Sequence, residues 1–249
     1  MAEYSTNELM AITAARRLQN GMIVAVGLGL PQIASFLAKA THAPDLTMFY
    51  EVGVVNPQPI DSGVGIADPR LWYGNDSFTG LMGTLGEILQ KGVCDIGFLG
   101  SLQLDRYANL NSSLVKDANG VKHLTGSGGA ADIATFSKHV FVIMRHEKRK
   151  FVEHVDWVTS VGCYKGKKTR EEAGLPRTEG VTVFTNLCVM ESGEESGELE
   201  VVSIHPGVTI EQLKENTGFD VIIRDNLPVT PEPTEDELRV LRAQNPAGV

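Results

Sequence analysis

Glu51 closes the largely apolar run from Leu46 to Tyr50, and Gly53 follows two residues later. Ligands of open α/β sheets gather where strands end, so a carboxylate at that point is a candidate for chemistry. Gly53 carries no side chain and would let a substrate approach the carboxylate closely. The competing reading is a structural or solvated glutamate. Two glycine-rich turns are the other candidates. Gly27-Leu28-Gly29-Leu30-Pro31 stands between an apolar strand and a helix, the setting of a dinucleotide loop. The third glycine of G-x-G-x-x-G would fall at Gln32, however, and close packing on a pyrophosphate is lost. The turn is therefore either a plain strand-to-helix connection or a contact for another ligand. Pro31 suits the first helical turn, where a missing N–H is harmless. Gly126-Ser127-Gly128-Gly129 precedes a short helix and is either a plain flexible turn or a source of bare N–H groups for a developing negative charge.

Other chemistries are excluded by what the chain lacks. Cys94, Cys163 and Cys188 form no CxxC pair, so they read as buried, inert thiols. His146-Glu147 opens like a metalloprotease helix, but Lys150 occupies the place of the second histidine, and no metal site is expected. Neither GxxxxGK[ST] nor G-x-S-x-G occurs. Ser127 has no His or Asp at an informative spacing and is not read as a nucleophile.

The elements that must position these residues follow from periodicity. Ser5 and Glu8 have capping-box spacing, and Met10, Ala14 and Leu18 recur along one face, predicting a helix that ends at Asn20-Gly21. Strands are predicted at 22–26, 46–50, 94–99 and 140–144, with helices at 32–40, 79–91 and 131–137. Short buried strands alternating with helices mean βαβ units and a mainly parallel sheet. Residues 56–76 read as a long loop. The later part is β-rich at 181–190 and 199–204, joined by a solvated acidic hairpin loop at 191–197. A helix opens at Thr209, a Pro-rich stretch covers 228–233, and a last helix is capped by Thr234 with Glu237 at its third position. One domain over 1–249, with a Pro-rich tail from about 228, is the expected organisation.

With 249 residues and 42% hydrophobic content, the chain is long enough to bury a core without staples. Its net charge of −9 disfavours nucleic acid and anionic membranes as partners. No stretch approaches the length of a membrane span, and Met1 to Ser5 do not open a signal peptide. A soluble, cytoplasmic protein is expected.

Taken together, Gly27-Leu28-Gly29-Leu30-Pro31, the strand ending in Glu51-x-Gly53, and Gly126-Ser127-Gly128-Gly129-Ala130 resemble the class I CoA-transferases, and among them the B (β) subunits of the glutaconate CoA-transferase type. The segments 102–111, 146–149, 158–160, 206–209 and 215–219 carry the same resemblance, which extends to about residue 242. It implies an open α/β fold shared with ribose-5-phosphate isomerase. It also implies CoA transfer between an acyl-CoA and a carboxylic acid through a glutamyl-CoA thioester at Glu51. Gly128 and Gly129 would serve as oxyanion donors beside Gly53, and Val52, Gly27 and Gly29 would border the substrate pocket. No cofactor is implied, coenzyme A being a substrate. An α-type subunit is implied as partner, in an α2β2 or larger assembly. The basic stretch 145–150 is either a solvated face or a contact for CoA phosphates or that partner. One departure stands out: the family usually has Ser or Asn where this chain has Val52. Relatives that lack the glutamate act as acyl-CoA hydrolases or glutaconyl-CoA-type decarboxylases. A noncatalytic scaffold subunit is the third reading.

Overall fold

The computed structural model describes residues 3–58, 65, 67–245 and 248. Helix α1 (Thr6–Ala15) starts with the expected capping box between Ser5 and Glu8, but ends at Ala15 and gives way to turns before residue 21. Strand β1 (Ile23–Ala25), helix α2 (Leu30–Ala40) and strand β2 (Thr47–Tyr50) follow. The chain then doubles back through β3 (Val54–Val55) and β4 (Ser77–Phe78), separated by a 3₁₀ turn at Pro69–Trp72. Residues 59–64 and 66 of the expected loop lie outside the described residues, as do Met1 and Ala2. Next come a π-helix (Met82–Leu89), β5 (Ile96–Leu99), the ribbon β6 (Gln103–Leu104) and β7 (Leu110–Asn111), and the hairpin β8 (Leu114–Asp117) and β9 (Gly120–His123). The remainder runs α3 (Ala130–Phe136), β10 (His139–Ile143), α4 (Lys167–Glu172), β11 (Gly180–Phe184), β12 (Cys188–Ser192), β13 (Leu199–Ile204), α5 (Ile210–Glu215), β14 (Ile222–Ile223) and α6 (Glu235–Gln244). Capping boxes at Thr209 and Thr234 start α5 and α6 where the sequence places them.

Ten strands form one sheet in the order β14-β13-β12-β11-β10-β5-β1-β2-β3-β4. The five in the middle, β2 to β11, pair in parallel, while β3, β4 and β12 run antiparallel to their neighbours. Flanking helices cover both faces, as the alternation of strands and helices predicts. The structure adds detail to two expectations. The β-rich run 181–190 is two strands, because Thr185 turns the chain, its hydroxyl accepting the N–H groups of Leu187 and Cys188 at 3.1 and 3.0 Å. The helix expected at 79–91 is π-helical, its end marked by a bond from Gln90 N–H to the Leu85 carbonyl, five residues back. Gly80, Gly83 and Gly86 weaken an ordinary α-helix there, and a Cβ at Gly83 would collide with the Thr79 side chain.

Side chains alternate between the two faces of the sheet, and this parity organises the core. Val24, Met48, Tyr50, Ile96 and Phe98 join the cluster under α1, α2 and α6. Ala25, Phe49, Leu99, Val140 and Val142 join the opposite cluster, with Ile133 and Ala134 of α3 and Leu89 of the π-helix. Gly97 brings α3 close to the sheet, for a Cβ there would overlap Ile133 and Ser137. Buried Arg170 then ties the far end of α3 down, donating to the Ala134 and Thr135 carbonyls at 3.2 and 3.1 Å. Among the described residues no helix is long and apolar enough to cross a membrane.

Candidate active site

From β1 the chain moves through α2 to β2 on one side, and later returns to β5 on the other. The carboxyl ends of β1, β2 and β5 therefore splay apart at a topological switch point, where open sheets bind ligands. A cavity of about 410 Å³ lies there, walled by Gly27, Leu28, Phe49, Glu51, Phe98 and Ser127 among others.

Parity puts Glu51 in that wall. It continues the face of Phe49, toward the π-helix and α3, whereas Val52 continues the face of Met48 and Tyr50. The half-buried Glu51 carboxylate accepts a hydrogen bond from Gly129 N–H, Oε2 lying 2.8 Å away. Its main-chain carbonyl accepts a second from the Thr84 hydroxyl at 2.7 Å. A second cavity, about 490 Å³ and largely apolar, is walled by Leu81, Met82, Leu85, Gly128, Gly129 and Asp132 among others. Glu51 belongs to the walls of both. Two of the second cavity's lining side chains are large, apolar and exposed, Met82 at 80% and Leu81 at 56%.

Of the residues singled out from the sequence, Glu51, Gly128, Gly129 and Gly27 come together here. Gly128 has φ +47°, and Gly129, at −81°, leads into α3 with its N–H on the carboxylate. Gly29, with φ +73°, is the residue from which α2 starts, and Pro31 falls in the first turn as expected. Gly53 has a different employment from the one its sequence context suggests. Its φ is +111°, and the space a side chain would take is filled by the chain's own Thr79 carbonyl. The half-buried Val52 packs against the α1–α2 core.

The cysteines, His146 and the basic stretch singled out from the sequence lie away from these two cavities. Burial pushes the thiol of Cys94 up to about 11 and that of Cys188 to about 12, and raises Cys163 as well. His146 is buried, stacked on Phe151 and bonded to Thr217. The basic stretch beside it engages its own surroundings: Arg149 and Lys150 pair with Glu147, and Arg145 bonds Asn7. The sequence reading misses Thr84. The signal is present in the three glycines of its segment, which promise a helix in close contact with other backbone.

The chain matches the family model for Coenzyme A transferase over residues 7–216. It is 42% identical over 248 residues to the B (β) subunit of 3-oxoadipate CoA-transferase from Pseudomonas knackmussii, a match covering 98% of this chain and 94% of that one. The B (β) subunit of glutaconate CoA-transferase from Acidaminococcus fermentans is 35% identical over 226 residues, covering 88% and 84% of the two chains. The crystal structure of glutaconate coenzyme A-transferase from the same organism has a TM-score of 0.91 and 31% identity, covering 98% of this chain and 96% of its own. Fold and sequence thus define the class: the chain belongs to the coenzyme A transferase family. Within the family its likeness is to the β-type chains of these enzymes, and the mostly parallel mixed sheet with flanking helices matches the glutaconate enzyme.

Proposed function

We propose that this chain acts as the β-type subunit of a heteromeric CoA-transferase and carries its nucleophile, Glu51. The supporting observation is a carboxylate at a strand end, shared by two cavities and resting on the Gly129 N–H at 2.8 Å. The Glu51 carboxylate attacks the carbonyl of an acyl-CoA, expelling CoA thiolate and forming a mixed acyl-glutamyl anhydride. The thiolate then attacks the glutamyl carbonyl, releasing the first acid and leaving glutamyl-CoA thioester. A second carboxylate reverses the two steps and departs as its own CoA ester. Covalent catalysis divides one difficult exchange into easier ones, and every intermediate stays activated.

When the glutamyl carbonyl is attacked, negative charge develops on a Glu51 oxygen. Gly129 N–H is already directed at that carboxyl, and removing one such donor typically costs about 3–4 kcal/mol. The Gly128 N–H is the second donor in this proposal. Anhydride and thioester are both lost to water, so the site must be closed. We assign that closure to an α-type subunit seated on the exposed apolar side chains of Leu81 and Met82, which border the Glu51 cavity. The acyl groups fitting this reading are those of small dicarboxylic acids, since the relatives are named for 3-oxoadipate and glutaconate.

The test uses the complex with the α-type subunit and acyl-CoA without acceptor. Glutamyl-CoA should accumulate, borohydride should reduce it to an alcohol, and peptide mass analysis should find the change at Glu51. Glu51→Gln should lose transfer almost entirely, and Glu51→Asp should tilt its residual activity toward hydrolysis. Normal activity in Glu51→Gln, or a label confined to the other subunit, would make this chain the scaffold.

A further inference from the structure

We propose that Thr84 is a positioning residue for the transfer reaction: its hydroxyl holds the main chain of Glu51 so that the carboxylate stays on the Gly129 N–H. The inference rests on the reading of Glu51 as nucleophile and goes one layer beneath it. Thr84 is fully buried and does not reach either cavity. A hydroxyl has one proton to give. Within a helix, threonine ordinarily gives it to a carbonyl of the preceding turn. Here those carbonyls, of Gly80 and Leu81, lie at 3.5 and 3.3 Å, while the Glu51 carbonyl lies at 2.7 Å. The proton therefore leaves the helix for the turn that bears the nucleophile.

The surrounding geometry is consistent with this use. Thr79 N–H bonds the Gly53 carbonyl at 2.7 Å, so the segment 79–84 grips the turn 51–53 at both ends. That approach is close enough to require glycine at 53, where a Cβ would strike the Thr79 carbonyl. The same π-helix places Leu85 beside Gly129, its Cδ2 lying 3.3 Å from where a Cβ would stand. One element thus abuts both partners of the 2.8 Å bond between Glu51 and Gly129. π-Helical turns occur often at functional sites, and the wider turn here is what presents Thr84 to Glu51.

The experiment compares Thr84→Ala, Thr84→Ser and Thr84→Val in the complex with the α-type subunit. It measures kcat, KM for acyl-CoA, the share of acyl-CoA hydrolysed instead of transferred, and thermal midpoint. Loss of the hydroxyl should let the carboxylate drift, and kcat should fall about 10- to 100-fold in the Ala and Val variants. Their KM should change little and their hydrolysed share should rise, while the Ser variant, which keeps the hydroxyl, stays near the wild type. The Ala and Ser variants differ only in that hydroxyl. Equal kcat in the two overturns the proposal. So does an Ala variant that fails to assemble while Ser succeeds, for the bond is then a contact of the fold. Borohydride labelling of Glu51 in the wild type separates the two layers: a labelled Glu51 with an indifferent Thr84 refutes only this inference.

Discussion

Gly129→Ala should disable the enzyme without unfolding it. At φ −81° the backbone of residue 129 suits alanine as well as glycine, so no conformational strain is introduced. The added methyl, however, meets the proposed nucleophile. It would lie far inside 3.0 Å of Glu51 Oε2, 3.4 Å from Cδ and 3.3 Å from Leu85 Cδ2. Leu85 belongs to the packed π-helix, so the carboxylate is the group that must yield. Restoring ordinary contact moves Oε2 by about 1 Å. A displacement of that size from the reactive geometry costs about 10²-fold in rate, which is about 2.7 kcal/mol of barrier. The neighbouring Gly128→Ala provides the contrast. There a Cβ would sit 3.5 and 3.8 Å from the two Glu51 oxygens, at ordinary contact, but φ is +47°. Its cost falls on the backbone, about 1–2 kcal/mol of stability. Initial rates of CoA transfer, followed by the disappearance of the donor thioester, and thermal midpoints of both variants decide the matter. Gly129→Ala should show the larger loss of rate and Gly128→Ala the larger loss of midpoint. A Gly129→Ala enzyme with wild-type kcat would refute the argument that the 2.8 Å bond defines the working position of the carboxylate.

Val52→Ser should lower stability and leave the relative kcat/KM values among acyl-CoA donors unaltered, because Val52 packs on the core beneath α2; a reordering of donors would show that it reads the acyl chain. Stability should also decline in mild acid. Burial lowers His146 to about 3 and also lowers His205, so below the ordinary 6.5 the unfolded chain takes up protons that the native state refuses. Above 6.5 neither state is protonated and stability is flat; below it, each such histidine removes up to about 1.4 kcal/mol per pH unit, His146 until about pH 3. Urea midpoints measured from neutral pH to about pH 5 should fall, and His146→Gln should shallow the decline; an unchanged slope would exonerate His146.

The parts of this molecule legible in its sequence are those decided by local rules. Ser5 with Glu8, and Thr234 with Glu237, make the capping boxes their spacing announces. The apolar run before Glu51 is a buried parallel strand, and Glu51 lies at its carboxyl end beside a cavity. What stays hidden depends on distant partners. Gly53 reads as a gap for substrate, yet the Thr79 carbonyl, contributed by a segment 26 residues later in the chain, occupies it. The helical periodicity of 79–91 does not distinguish an α-helix from a π-helix. Short strands such as β3 and β4 have too few residues to show alternation, and only the pairing of β3 with β2 and of β4 with β3 defines them.

In β2, chemistry depends on counting. Glu51 and Val52 are neighbours in the chain but address opposite sides of the sheet, one the cavity and the other the α1–α2 core. Removing a single residue between Thr47 and Tyr50, with the flanking helices held in place, exchanges those addresses. The carboxylate would then be driven into hydrocarbon without a partner, and a valine would stand where the proposed thioester forms. Substitutions at 47–50 can be graded by size and polarity, but an insertion or deletion there is all or nothing. The strand works as a ruler whose unit is one residue, and a frame slip of one unit costs the core and the proposed nucleophile together.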